Sequence, residues 1–249
     1  MTRLLASISL RLVVAWFRDA KHWHGRAGVP HRLSEHVVLC AISLGVAIVI
    51  ALPVGVVLGH LRRGGTLAQN VANVGRAVPS LAILIIAVPI VGIGSRPAEI
   101  ALVALAIPPL LTNTYVGMLG VDDDVRDAAR GVGMTAWQTT RSVEVPLALP
   151  LILAGLRTAA FQVVATATLA AVIASGGLGR YIVDGLAVRD DTQVVCGSLL
   201  VLLLAVIVEV AIAGLQRTLV PAPLRVANRA TTDEKLEESI HAIRLDPAA

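Results

Sequence analysis

Apolar residues along this chain gather into long unbroken blocks rather than into the one-sided stripes of a water-soluble bundle. Four stretches, Val37 to Gly59, Ala77 to Ser95, Ile100 to Val121 and Thr158 to Gly179, contain no Asp, Glu, Lys or Arg. Each runs for 19 to 23 residues, and at ~1.5 Å per residue a helix of that length matches a hydrocarbon layer ~30 Å thick. The blocks lack period-two alternation and are about twice the length of a barrel strand, which argues against a transmembrane β-barrel. The pattern therefore predicts an all-α, polytopic membrane helical bundle with about five transmembrane helices.

Span one, from about Val37 to Gly59, carries Ala47, Ala51, Gly55 and Gly59 four residues apart, a smooth face on which another helix can settle closely, and Pro53 is expected to bend it. Span two runs from Ala77 to about Gly94, with Pro79 near its first turn. Span three, Ile100 to Gly120, contains Pro108 and Pro109 followed at once by Thr112, Asn113, Thr114 and Tyr115, and this polar half is expected to be broken. Span four occupies the middle of Val145 to Gly179, interrupted only by Arg157 and ending in a glycine-rich stretch unsuited to regular helix; Arg180, Asp184, Arg189, Asp190 and Asp191 then read as a polar loop. Span five extends from about Gln193 to Leu215 and holds Glu209.

Two flanking sections frame this membrane unit. In residues 1–34, Arg3, Ser7, Arg11 and Arg18 recur on one helical face and Leu4, Leu5, Ile8, Leu12 and Trp16 on the other. Its apolar stretch is too short to cross comfortably, so an extracytoplasmic, interfacial helix is the reading, in preference to a cleaved signal peptide. Residues 221–249 form a polar tail, where Thr231 and Glu234 have capping-box spacing ahead of Leu236, Ile240 and Ile243. The membrane unit itself is 35–220.

Composition sharpens this picture. With 56% hydrophobic residues, 15% charged residues and a mean hydropathy of +0.78, a soluble enzyme is excluded. The net charge of +4 points to membrane orientation rather than nucleic acid, because the basic residues flank apolar blocks. Arg62, Arg63, Arg76, Arg126, Arg130, Arg141 and the tail arginines fall on one side, and Arg96, Arg180 and Arg189 on the other. The first side is expected to be cytoplasmic, which places the amino terminus outside and the carboxyl terminus inside a plasma membrane. Six basic residues in the first 34 count against that orientation.

The segment between spans three and four carries the most specific pattern: Asp127, Ala128, Ala129, three residues, Gly133, nine residues, then Val143, Glu144, Val145 and Pro146. It resembles the EAA loop of bacterial binding-protein-dependent ABC importers, here 122–146, with Asp127, Val143 and Val145 standing where that motif has Glu, Ile and Leu. The stretches Ile107 to Tyr115, Val145 to Thr158, Ala165 to Thr168 and Gly176 to Tyr181 are similar to the permeases of glycine betaine, carnitine and choline importers, and the resemblance covers about Leu33 to Val220. It implies a MetI-like permease fold and a transport subunit rather than an enzyme. It also implies a cytoplasmic ABC ATPase that docks on the loop and binds ATP and Mg, an extracytoplasmic solute-binding protein, and a second permease copy or a related permease. The ATPase-coupling residues are then Asp127, Ala128, Ala129, Gly133, Met134, Trp137 and Pro146. The residues themselves fit that role: Asp124 can cap a short helix, Gly133 can end it, and Met134 and Trp137 offer apolar anchors.

Candidates for the translocation path are Asn113, Thr114, Tyr115, Thr166 and Thr168, whose polar groups need water or partners inside the bilayer; hydrogen bonds between helices are the alternative reading. Arg157 and Glu209 are the charges within spans, and neither is assigned to the path, since both lie near enough to the surface to snorkel. The chain has seven aromatic residues, of which Tyr115 and Phe161 fall in spans, too few for an aromatic cage around a quaternary ammonium. Solute selectivity is therefore expected to reside in the external binding protein.

Other chemistry is not supported. Gly131, Gly133 and Ala136 fit a dinucleotide pattern, but no strand precedes them, and no Gly-Lys pair of a phosphate-binding loop occurs. His22, His24, His31 and His36 lack a convincing metal-ligand set, Cys40 and Cys196 have no zinc or redox spacing, and no catalytic constellation or cofactor site is visible. Beyond membrane lipid and the importer's own partners, no nucleic acid is expected. Rival functions are a permease for another small solute such as methionine and an ion-coupled secondary transporter, the latter expected to show midplane acidic residues and internal repeats.

Overall fold

A backbone in hydrocarbon has no water to bond, so it satisfies its N–H and C=O groups within each segment, and the apolar blocks fold as helices. The computed structural model describes residues 10–77, 79–173 and 175–220. In chain order the helices are α1 (Leu10–Arg18), α2 (Val29–His60), α3 (Gly65–Ala77), α4 (Ser80–Val91), α5 (Ser95–Leu119), α6 (Asp123–Gly131), α7 (Ala136–Thr139), α8 (Val145–Thr166), α9 (Gly179–Val188) and α10 (Asp191–Leu219). A π turn, Thr140–Glu144, joins α7 to α8, and 3-10 segments cover Ala20–His22 and Ala167–Ile173. No strand occurs among the described residues. Arg3, Leu4, Leu5, Ser7 and Ile8 lie outside them, as does the tail with Thr231, Glu234, Leu236, Ile240 and Ile243.

Four stretches are long and apolar enough to cross a membrane: Val29–His60, Ser95–Leu119, Ala136–Ile173 and Asp191–Leu219. The expected second span is the 12-residue apolar α4, only ~18 Å long. Pro79, its N-cap, lacks the N–H that would continue α3 into it. Helix α2 begins at Val29 rather than at Val37, with Gly28 as its N-cap and Pro30 in its first turn.

The bundle is organised around α5, which packs against α2, α3, α4 and α8. On α2 the buried positions Ser43, Ala47, Ala51, Gly55 and Gly59 recur every four residues, as the small-residue spacing predicts. A Cβ on Gly55 would lie 2.8 Å from Thr114 Cβ, and one on Gly59 would lie 2.3 Å from Met118 Cβ. The two helices approach so closely because α2 offers no side chain at these points. Leu102, Leu110, Met118 and Val163 fill the interior with essentially no exposure.

Two expectations about local structure are corrected. Helix α5 is continuous through Pro108 and Pro109 to Leu119 instead of breaking there. Proline removes an N–H and crowds the preceding turn, but neighbouring helices hold the segment in place on several sides and sustain such prolines in membrane helices. The stretch holding Arg180 and Asp184 is also helical, as α9, leaving only Arg189 and Asp190 between α9 and α10. Its Tyr181 and Gly185 are buried, while Arg180 pairs with Asp184 one turn on at 2.5 Å. A buried face toward α10 makes a helix of what reads as a loop from its charges alone.

The α1 section caps the end of the bundle remote from α6. Val13 and Trp16 are buried, whereas Leu10, Leu12, Val14, Arg11 and Arg18 are exposed. The Trp16 ring stacks on His22 at 4.0 Å and meets Tyr181 edge-on at 5.4 Å. Burial, with Lys21 alongside, holds His22 below the ordinary histidine value, and burial pushes the Tyr181 phenol up. The Tyr181 hydroxyl donates to the Ala27 carbonyl at 2.5 Å, fastening this section to α9. Nearby, Glu35 accepts hydrogen bonds from the Gly177 N–H at 2.8 Å and from Arg32 at 2.9 Å, joining the start of α2 to the turn that follows the 3-10 segment.

Candidate coupling site and membrane cavity

The 122–146 segment is a helix, a turn, and a helix restart. Three consecutive aspartates open it, and the structure selects Asp122 rather than Asp124 as the cap: its Oδ1 accepts the Asp124 N–H at 3.0 Å, while Asp123 and Asp124 fall in the first turn of α6. Both caps offer the same chemistry, and negative charge in the first turn is favoured by the helix dipole. At the other end Gly133 has φ 85°, a left-handed conformation that glycine adopts without steric cost. The Gly133 N–H bonds the Arg130 carbonyl at 2.9 Å and the Met134 N–H bonds the Ala129 carbonyl at 3.1 Å, the paired closure that ends a helix. Thr135 then starts α7 with a capping box. Its N–H donates to Gln138 Oε1 at 2.8 Å and its Oγ1 accepts the Gln138 N–H at 3.4 Å.

This geometry sorts the expected coupling residues by exposure. Ala129 is buried and Met134 half-buried, whereas Asp127, Ala128, Gly133, Trp137 and Pro146 are exposed. Trp137 is 70% exposed and Val132 80%. Val125 and Ala128, three residues apart, fall on one face of α6, and the exposed Val132 is its C-cap. Asp127 pairs with Arg130 at 3.1 Å, but both side chains are mostly in solvent, so the pair contributes little.

Beneath this surface lies a buried node that sequence reasoning missed. Glu144 and Arg126 are 1% and 3% exposed, and Arg126 Nε stands 3.2 Å from Glu144 Oε1. His60 Nδ1, from the end of α2, is 2.7 Å from Glu144 Oε2, and Thr140 Oγ1 is 2.9 Å from the same nitrogen. Arg126 also donates to the Met118 carbonyl at 2.5 Å, and Arg62 bonds the Val121 carbonyl at 3.3 Å and pairs with Asp123 at 2.6 Å. A buried charge is tolerated only when paired and hydrogen-bonded, and here the pairing ties α2, α5, α6 and the start of α8 together. The signal available in sequence was a lone acidic residue, Glu144, at the edge of an apolar run.

Within the membrane region a cavity of about 400 Å³ opens between α3, α4, α5 and α8. Ser80, Thr112, Asn113, Thr158 and Gln162 supply its polar wall, and Ala72, Leu105, Pro108 and Pro109 its apolar wall. Of the residues considered for a path, Asn113 lines this cavity. Thr114 is fully buried against Gly55 of α2, the Tyr115 hydroxyl points toward Gly65, and Thr166 and Thr168 lie at the far end of α8 and in the 3-10 segment. Arg157 of α8 forms an ion pair with Glu209 of α10, and neither lines the cavity. Helix α8 begins within the 122–146 segment and, through Thr158 and Gln162, also lines the cavity.

Residues 47–222 match the family described as the binding-protein-dependent transport system inner membrane component, and the chain belongs to that family of multi-pass membrane transport subunits. It is 36% identical over 195 residues to the glycine betaine/carnitine/choline transport system permease protein OpuCB of Bacillus subtilis (strain 168), covering 78% of this chain and 90% of that one. It is 40% identical over 189 residues to the carnitine transport permease protein OpuCB of Listeria monocytogenes, covering 76% and 86%. The fold matches an inward-facing MetNI methionine ABC transporter chain with a TM-score of 0.68 at 21% identity, over 78% of this chain and 96% of that one.

Proposed function

We propose that this chain is the permease of an ATP-driven importer for osmoprotectants of the quaternary-ammonium class, such as glycine betaine, proline betaine, carnitine and choline. The substrate class rests on the printed functions of relatives at 36% and 40% identity. In this reading the 122–146 end faces the cytoplasm, the amino terminus lies outside and the carboxyl terminus inside, in a plasma membrane. A cytoplasmic ATPase that binds ATP and Mg docks there, an extracytoplasmic binding protein delivers solute to the opposite end, and two permease chains, identical or related, enclose the path.

The observation that carries the coupling role is the exposed apolar surface of Val125, Ala128, Val132 and Trp137 mounted on the buried Glu144 node. An exposed tryptophan beside small residues is the composition of an interface anchor, and a node that joins α6 to α2, α5 and α8 passes its displacement to the membrane helices. Trp137→Ala tests this. The variant is expected to insert at wild-type abundance, to lose at least tenfold in affinity for the ATPase subunit, equivalent to ~1.4 kcal/mol or more, and to lose transport in proportion. Wild-type ATPase copurification and uptake would overturn the docking assignment.

A further inference from the structure

The cavity between α3, α4, α5 and α8 has a chemistry that discriminates among the solutes of that class. We propose that it is a transit site that receives the carboxylate of a methylated-ammonium zwitterion through Gln162, Asn113 and Ser80, and that the membrane domain therefore favours carboxylate-bearing solutes over choline. The proposal rests on the importer reading above and goes beyond it by naming the residues and a second, coarser preference that acts after capture by the external binding protein.

The hydrogen-bond inventory identifies these three. Thr158 already donates its hydroxyl to the Ala154 carbonyl at 3.1 Å, so it can offer a solute only acceptor lone pairs. Asn113 uses one N–H on the Pro109 carbonyl at 2.8 Å and keeps the second. The Ser80 and Gln162 side chains make no hydrogen bond among the described residues, leaving the hydroxyl and both amide N–H groups available, whereas the Thr112 hydroxyl is closed off from the cavity. Asn113 and Gln162 also carry free amide oxygens, but a solute hydroxyl offers them a single donor, whereas a carboxylate accepts from several of the wall's donors at once.

The rest of the lining fits the other end of such a solute. A trimethylammonium group has no N–H and presents only methyl groups, which lie against Leu105, Pro108 and Pro109 without leaving an acceptor or donor unpaired. Among the described residues no acidic or aromatic side chain lines the cavity, so none of them holds the cation of choline by ion pairing or by a ring face. A volume of about 400 Å³ falls in the range of small-molecule sites, ~300 to 1,000 Å³. Neutral donors also suit a conduit: hydrogen bonds from uncharged groups orient the carboxylate and release it easily.

The test uses the intact transporter, with its ATPase and binding protein, in proteoliposomes, and measures saturated uptake of glycine betaine, carnitine and choline. Gln162→Leu, which keeps side-chain bulk, is expected to lower betaine and carnitine uptake on the order of tenfold more than choline uptake, the effect of losing a hydrogen bond to a charged group. Gln162→Glu, which places a carboxylate in the cavity, is expected to invert the preference toward choline. Ser80→Ala serves as the second site and should shift the ratio in the same direction as Gln162→Leu. Equal losses for all three solutes, or an unchanged betaine-to-choline ratio in every variant, would overturn the inference while leaving the importer reading intact. A wild-type complex that moves none of the three would overturn both.

Discussion

At Glu144 the decisive quantity is the cost of a carboxylate withdrawn from water. With Arg126 equally buried, removing one member strands the other, and breaking such a pair costs ~3 to 5 kcal/mol. Glu144→Ala is therefore expected to lower the thermal stability of the detergent-solubilised permease sharply. Arg126→Met in the same chain should recover a large part of the loss, because it removes the orphaned charge. Thermal unfolding of the wild type, both single variants and the double variant measures this. Additive losses in the double variant would show that the two side chains are not energetically coupled.

Among the elements, α2 shows most directly how side-chain size sets a helix distance. Gly59→Ala introduces a methyl carbon where Met118 already stands, and overpacking of that kind costs ~1 to 3 kcal/mol. The same change at Gly45, whose Cβ would meet nothing within 4 Å, should leave stability unchanged within about 0.5 kcal/mol. Met118→Ala should relieve Gly59→Ala. Equal melting temperatures for the Gly45 and Gly59 variants would contradict the close α2–α5 contact. Because Met118 also offers its carbonyl to Arg126, displacement at this contact should reach the Glu144 node and reduce transport as well as stability.

For the whole molecule the testable property is orientation. Ala20, Ser95 and Gly131 are exposed, the first two at one end of the bundle and the third at the other. The native Cys40 and Cys196 are buried. In a background lacking them, Ala20→Cys and Ser95→Cys are expected to react with a membrane-impermeant maleimide in intact cells. Gly131→Cys should react only after permeabilisation. Labelling of Gly131→Cys from outside would reverse the orientation, and protection of Ala20→Cys alone would place the amino-terminal section on the cytoplasmic side, as its six basic residues favour.

What the amino-acid sequence determined by itself is whatever depends on neighbours along the chain. The length of apolar runs against hydrocarbon thickness gave a multi-pass helical protein, the four-residue spacing of Ala47, Ala51, Gly55 and Gly59 marked the buried face of α2, and Gly133 marked the turn after α6. Even there the sequence reading put the cap on Asp124, and the folded geometry puts it on Asp122, two residues earlier in the same run of aspartates. The tertiary structure decided the rest, for reasons local rules do not contain. Support from neighbouring helices keeps α5 helical through two prolines, and burial of Tyr181 and Gly185 makes α9 a helix despite its charges. The Glu144, Arg126 and His60 cluster joins residues far apart in sequence. Asn113 reaches the cavity while Thr114, its chain neighbour, faces α2, because successive residues on a helix point about 100° apart and only the placement of other helices determines which direction is a path and which is a packing contact.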